Sequence, residues 1–162
     1  SYLAHKDISI IFDTNVEEKF SVTDVDLIER ILLNLISNAI KYGKEKGSVW
    51  VTLFDEGEHL IISVKDNGIG IPKEQLDNIF DRFIKVSNNQ DESISGNGIG
   101  LSLVKALVDL LDGEIFCLST LGVGSEFVVI LPMESQERKY TCNHDSIDSN
   151  MESKLVIELS DI

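Results

Sequence analysis

The sequence predicts an α+β two-layer sandwich, with helices on one face of a mostly antiparallel sheet. Two observations carry that expectation. Strand-like and helix-like segments are mixed along the chain without the strict alternation that a parallel βαβ sheet requires. Two pairs of successive strand-like segments are joined by short, glycine-containing links of hairpin length. The chain has 162 residues, 43% hydrophobic and 26% charged, which suits one buried core and excludes collagen-like or low-complexity classes.

Taken in order, Lys6 to Phe12 alternates Ile8, Ile10 and Phe12 against smaller or polar neighbours and reads as a half-buried strand. Thr23 offers an N-cap hydroxyl with Asp26 three residues on; Val25, Ile28, Leu32, Leu35, Ile36 and Ala39 follow at helical spacing, up to a stop near Gly43. Ser48 to Phe54 and Leu60 to Lys65 are β-rich runs around the hairpin link Asp55 to Glu58. A short helix opens at Pro72, with Leu76, Ile79 and Phe80 pointing to core and Phe83 just beyond. Lys85 to Gly98 lacks hydrophobic periodicity and reads as a polar loop. Ile99 to Asp112 is an apolar helix with one polar stripe, Ser102, Lys105, Asp109 and Asp112, stopped by Gly113. Glu114 to Thr120 and Ser125 to Leu131 form a second hairpin around Leu121 to Gly124. The domain is thus expected over residues 1–132. Residues 133–162 form a polar tail whose Lys154 to Leu159 segment alternates like a strand, either a linker stub or a docking strand.

Charge and cysteine content narrow the function. The 28 acidic against 14 basic residues leave a net charge of -14, a field that repels nucleic-acid backbones and anionic lipid. The two cysteines, Cys117 and Cys142, make neither a disulfide framework nor a metal cluster, and a reducing cytoplasm fits them. No apolar run approaches the ~18 residues of a membrane helix, so no direct membrane contact is expected of this chain, and a parent anchored in the inner membrane stays compatible. His5, His59 and His144 have neither ligand-like nor triad-like spacing and read as surface or loop residues.

Three segments carry chemistry. In the strand Leu60 to Asp66, alternation puts Asp66 on the face of Leu60, Ile62 and Val64, aiming a carboxylate at the core. Such a charge needs donors; a purine amino group suits it, and so does capping of the following turn, Asn67 to Gly70. Gly68 and Gly70 allow unusual backbone angles and close approach to a ligand. On the long helix, Asn34, Asn38 and Lys41 project from one face, and neutral amide oxygens plus an ammonium suit magnesium and phosphates; a solvated polar face is the competing reading. Gly96 to Ser102 is a glycine loop entering a helix N-terminus, which favours phosphate oxygens, although Leu101 breaks both the dinucleotide and the P-loop patterns. Seven of the eleven basic residues before Met133 are Lys41, Lys44, Lys46, Lys65, Lys73, Arg82 and Lys85, a local cationic zone; at a Debye length of ~8 Å such near charges outweigh distant acids.

Together these segments resemble the ATP-binding catalytic domain of bacterial sensor histidine kinases, in the GHKL superfamily. The resemblance covers about Lys6 to Pro132 and rests on four motifs: Asn34-Leu-Ile-Ser-Asn38-Ala-Ile-Lys41-Tyr42, Asp66-Asn67-Gly68-Ile69-Gly70-Ile71-Pro72, Ile79-Phe80-Asp81-Arg82-Phe83, and Gly96-Asn97-Gly98-Ile99-Gly100-Leu101. It implies a mixed five-stranded sheet covered on one face by three helices, and ATP and Mg2+ as cofactors. It implies that Asn38 ligates magnesium, that Asn34 and Lys41 contact phosphates, and that Tyr42 lies against adenine. Asp66 would accept from the adenine amino group beside Gly68, Gly70 and Ile71, and Arg82 would reach the terminal phosphate. Phe83, Lys85, Gly96, Gly98, Gly100, Leu101 and Ser102 complete the nucleotide site, with Lys85 to Ser95 as a lid. Lys85 stands where the family often has arginine, which keeps charge but loses the bidentate fork.

The function implied is transfer of the ATP terminal phosphate to a histidine on a dimerisation domain, followed by a response regulator; Asn34, Lys41 and Arg82 would be the catalytic set. Within these 162 residues no helix pair bearing a phosphoaccepting histidine is expected, and His5 is not expected to substitute for it. The alternatives are a GHKL-type ATPase, whose relatives carry glutamate where Asn34 stands, and a nucleotide-sensing module without catalysis.

Overall fold

The computed structural model describes residues 7–15, 24–81 and 99–133. Its elements are β1 (Ser9–Thr14), α1 (Val25–Lys41), β2 (Ser48–Asp55), β3 (His59–Asp66), α2 (Lys73–Leu76), α3 (Gly100–Leu110), β4 (Glu114–Thr120) and β5 (Gly124–Pro132). The five strands form one sheet in the order β1-β2-β3-β5-β4. Only β1 and β2 pair in parallel; the β2–β3, β3–β5 and β4–β5 ladders are antiparallel. The sheet is therefore mixed, and its apolar face carries the helices, as expected.

Period-two alternation decides that face. Val49 and Val51 of β2, Leu60, Ile62 and Val64 of β3, and Phe127, Val129 and Leu131 of β5 are buried on it. Against them lie Ile31, Leu32, Leu35, Ile36, Ala39 and Ile40 of α1 and Val104, Leu107 and Val108 of α3. Each fully buried aliphatic chain contributes about 1.5–3 kcal/mol relative to exposure, so tertiary burial rather than intrinsic propensity holds an 11-residue helix such as α3 in place. No helix among the described residues is long and apolar enough to cross a membrane.

Several element ends differ from the sequence expectation. β1 runs Ser9–Thr14 rather than from Lys6, and Lys6 lies outside the described residues. Ile8 and Ile10 pack against the core, but Phe12 is 55% exposed, because β1 is an edge strand and α1 lies over β2 and β3 instead. The cap of α1 is Asp24, whose carboxylate accepts from the Asp26 and Leu27 N–H groups at 3.1 and 3.3 Å. Thr23 lies outside the described residues, as do Phe83, the Lys85 to Gly98 loop, His5, Cys142, His144 and the tail from residue 134. Pro72 precedes α2 as its N-cap instead of opening its first turn. On α3 the polar stripe is present, yet Leu103 and Leu110 are exposed as well.

The end of α3 is the clearest departure. The left-handed residue is Asp112, at φ 55°, and not Gly113. Asp112 N–H donates to Asp109 and Gly113 N–H to Val108, which is the Schellman pattern with an aspartate in the position glycine usually takes. Gly113 serves closeness instead: a Cβ there would stand 2.6 Å from Leu131 Cδ2 and 2.7 Å from the Ile130 carbonyl. Asp112→Gly is therefore expected to raise stability by about 0.5 kcal/mol, and Gly113→Ala to lower it by about 1–3 kcal/mol. Urea unfolding midpoints moving the other way at either position would refute this account of the helix stop.

Candidate functional site

One cleft gathers residues from five parts of the fold. Asn38 and Tyr42 come from the end of α1, Asp66 from β3, and Gly70 and Ile71 from the loop after it; Leu101 comes from α3, and Ser125 and Phe127 from β5. The space between these residues is about 370 Å³ with its solvent-facing mouth included, so the cleft is open on one side. Its floor is apolar, and Phe80 packs edge-on against Phe127 beneath it, with ring centroids 6.4 Å apart.

The polar centre is Asp66. It is 7% exposed and stands in register with Val49 on one side and Ser125 on the other. Burial raises its pKa, while the Gly68 and Ser125 N–H groups and the Lys44 charge pull it down. The Gly68 N–H donates to Oδ1 at 2.7 Å. The carboxylate thus caps the following turn and also lines the cleft, so the two sequence readings of Asp66 describe one arrangement.

The loop after Asp66 is fastened by hydrogen bonds at Asn67, Gly68, Ile69 and Ile71. Asn67 Oδ1 accepts from Ser48 N–H at 2.9 Å, Ile69 N–H donates to the Tyr42 carbonyl at 3.1 Å, and Gly122 N–H donates to the Ile69 carbonyl at 2.7 Å. Ile71 N–H donates to Ser119 Oγ at 2.8 Å. Gly70 is left-handed at φ 69°, and a Cβ on it would overlap the Thr120 carbonyl; a Cβ on Gly68 would overlap that of Tyr42. Both glycines let the protein's own backbone close up around Asp66.

The second polar group lies where α1 meets α3. Asn34 Nδ2 donates to the Arg30 carbonyl at 2.8 Å, the back-bond of a mid-helix amide. A Cβ at Gly100 would stand 3.5 Å from Asn34 Oδ1 and 3.6 and 3.8 Å from the two amide atoms of Asn38. The absent side chain of Gly100 therefore leaves a small cradle between the two amides and the start of α3. Among the described residues, Asn38 Nδ2 is buried without a hydrogen-bond partner, and no side chain caps the N-terminus of α3. Buried polar atoms are almost always partnered, so this orphan marks a place for a ligand. Among the described residues no cluster of three His, Cys, Asp or Glu side chains could hold a metal alone. A magnesium ion suits the cradle only in the manner it prefers, through one amide oxygen with phosphates and waters completing its shell.

The other expected site residues divide by position. Lys41 Nζ lies 5.5 Å from the centroid of the Tyr42 ring. Burial raises the pKa of the Tyr42 phenol. Ser102 Oγ donates back to the Ile99 carbonyl at 2.9 Å. Arg82, Phe83, Lys85, Gly96 and Gly98 lie outside the described residues. The cationic zone is smaller than expected, since alternation puts Lys65 on the opposite face of the sheet from Asp66. Lys44 does reach the site, its ammonium donating to the Gly122 carbonyl at 2.7 Å. The sequence reading missed Ser125 and Phe127, although Ser125 carries the same signal as Asp66, a polar residue at the core-facing end of an apolar strand.

Comparison with known proteins points the same way. The family described as Histidine kinase-, DNA gyrase B-, and HSP90-like ATPase matches residues 23–135. The chain is 40% identical over 116 residues to the sensor histidine kinase WalK of Bacillus subtilis, covering 70% of this chain and 19% of that protein. It is 34% identical over 131 residues to the circadian input-output histidine kinase CikA of Synechococcus elongatus, covering 80% of this chain and 17% of that protein. The chain thus spans less than a fifth of the length of these curated relatives. Among solved structures, full-length ShkA in complex with AMPPNP superposes with a TM-score of 0.70 at 28% identity, covering 84% of this chain and 28% of that one.

Behind Asp66 sits Cys117, a free thiol whose pKa is pushed up to about 12 by burial and by the Asp66 charge. A thiol with a raised pKa stays protonated and unreactive through neutral pH. In a Cys142→Ser variant, alkylation of the folded chain by iodoacetamide at pH 8 should run at least about a hundredfold slower than in urea. Equal rates would show that the wall behind Asp66 is open.

Proposed function

Since the chain belongs to the histidine kinase-, DNA gyrase B- and HSP90-like ATPase family, we propose that it is the ATP-binding catalytic domain of a sensor histidine kinase. The observation that carries this reading is the pairing, in one cleft, of a buried carboxylate at one end with a partnerless amide and an uncapped helix start at the other. A base with an exocyclic amino group suits the first, and a phosphate chain suits the second.

In this reading Asp66 accepts from the adenine amino group, with Tyr42, Gly70, Ile71 and Phe127 enclosing the ring beside Gly68. Asn34, Asn38 and Lys41 take the phosphates with the first turn of α3 at Gly100, Leu101 and Ser102. Arg82, Phe83, Lys85, Gly96 and Gly98 join them, with Lys85 to Ser95 closing as a lid. Magnesium bound through Asn38 would supply charge neutralisation along the triphosphate. The chain's own part is positioning and electrostatics, which is what phosphoryl transfer chiefly demands. A histidine nitrogen from a dimerisation domain then forms the bond to the terminal phosphorus as its bond to the bridging oxygen breaks and ADP leaves. The phosphate passes onward to a response regulator. The matching regions of WalK and CikA, both named histidine kinases, support this assignment.

The ATPase alternative is not favoured. A neutral amide at Asn34 cannot take a proton from water at physiological pH, so bound ATP waits for a better nucleophile.

Mixing the chain with labelled ATP, magnesium and a histidine-bearing dimerisation domain of the same class should place acid-labile phosphate on that partner, with little hydrolysis in its absence. Brisk turnover without the partner would defeat the kinase reading in favour of the ATPase one. The base contact has its own test. Only ionised Asp66 is a full acceptor, so ATP affinity should fall on acidification with a midpoint above the 3.8 of an ordinary aspartate. Lys44→Met, which removes a charge that holds that pKa down, should move the midpoint further up. Asp66→Asn should lose the midpoint and weaken ATP far more than inorganic triphosphate; parallel weakening of both would make Asp66 purely structural.

A further inference from the structure

Ser119, on β4, faces the same side of the sheet as Asp66 but lines no part of the cleft, and its hydroxyl has three partners. It accepts from Ile71 N–H at 2.8 Å, lies 2.9 Å from the Gly124 carbonyl, and lies 3.0 Å from Ser125 Oγ. A serine hydroxyl has one hydrogen and two lone pairs. The Gly124 carbonyl can only accept, so it takes the Ser119 hydrogen. The Ile71 N–H can only donate, so it occupies one lone pair. The remaining lone pair is all that Ser119 offers Ser125, and the Ser125 hydroxyl must donate to it. Ser125 is itself 7% exposed, stands directly across the ladder from Asp66, and lines the cleft.

We propose that Ser119 is a specificity-determining positioning residue: by saturating its own hydroxyl it fixes the Ser125 hydrogen away from the cleft, so that Ser125 and Asp66 present only acceptors to the base. This rests on the nucleotide reading above and goes beyond it. The polar end of the cleft then selects a 6-amino purine, whose amino group carries two hydrogens for the two acceptors, directly or through a water. A 6-oxo purine turns an acceptor toward both and is rejected, because a buried polar group facing a like group is left unpaired. The same hydroxyl holds Ile71 N–H, so the loop that bears Gly70 is set by the residue that sets the hydrogen order. Asp66 alone would discriminate less, since a Ser125 hydroxyl free to rotate could donate to a 6-oxo group.

The test is calorimetric titration with ATP and with inosine triphosphate, magnesium present throughout. The wild-type chain should prefer ATP, Ser119→Ala should shrink that preference about tenfold by gaining affinity for inosine triphosphate, and Ser119→Thr, which keeps the hydroxyl, should restore it. In a Ser125→Ala background, Ser119→Ala should leave the preference unchanged, because no rotor remains. Ser119→Cys, nearly isosteric and a poor acceptor, gives the same reading should the alanine variant fail to fold. Equal weakening of both nucleotides by Ser119→Ala, with the ratio intact, would reduce Ser119 to a structural role and overturn the proposal. Indifference of the wild-type chain between the two nucleotides would overturn it at a different point, by removing base selection itself, while loss of preference confined to Asp66→Asn would leave base selection standing and Ser119 without a part in it.

Discussion

A carboxylate on the core-facing side of a central strand is the constraint around which this molecule is arranged. An unpartnered buried charge costs several kcal/mol, enough to consume much of the stability of a small domain. Asp66 meets that cost with the backbone. The Gly68 N–H comes from the turn immediately after it, the Ser125 N–H from the neighbouring strand, and the Lys44 charge from the loop after α1. The turn that carries the Gly68 donor demands closeness: Gly68 has to lie against the Tyr42 carbonyl, and Gly70, two residues on, against that of Thr120. Burial still wins over these donors in the net direction of the Asp66 pKa, which leaves the group under-compensated and poised for one more donor from outside.

The same economy of contacts explains why the two polar ends stay apart. α1 supplies Asn34 and Asn38 one turn apart in its C-terminal half and Tyr42 from its C-cap, so that one rigid helix spans from the phosphate-like end to the base-like end of the cleft. Its opposite face is buried from Ile31 to Ile40 against both sheet and α3. Moving the amides relative to Asp66 would therefore require repacking the core, and close-packed interiors resist such shifts. α3 is fixed by Val104 and Val108, both fully buried, which places its uncapped first turn at the amides.

How much of this was legible beforehand follows from which forces leave a local trace. Alternation in Leu60 to Asp66 and Ser125 to Leu131, and helical spacing from Ile28 to Ala39, record burial, so the strands, α1 and the orientation of Asp66 could all be read, while Val25, counted in the same helical pattern, is 69% exposed at the start of α1. Edge effects leave no such trace: Phe12 has the pattern of a buried strand residue, and its 55% exposure follows only from β1 lying at the sheet's edge. The stop of α3 was misplaced by one residue because Asp112 tolerates the left-handed conformation that glycine was expected to supply. Ser119 was invisible as part of the site, and Lys44 could be placed only in a broad cationic zone, since their partners, Ile71 and Gly122, are distant in sequence and are brought near by the fold. The roles at Arg82 and Lys85 rest on resemblance alone, both residues lying outside those the structure describes.

The polarity of the cleft carries one consequence further. At one end are hydrogen-bond acceptors, Asp66 and, in the proposed hydrogen order, Ser125. At the other are donors, the uncapped amides at the start of α3 and the partnerless nitrogen of Asn38. An adenine nucleotide is donor at its amino group and anionic at its phosphates, so it fits in one direction only; reversed, phosphate oxygens would face a carboxylate in a low-dielectric wall, where like charges repel most strongly. The overall charge of -14 does not oppose this binding, because distant surface acids are screened within about a Debye length, roughly 8 Å at physiological salt. Direction, then, is set by a few short-range groups and not by the overall charge.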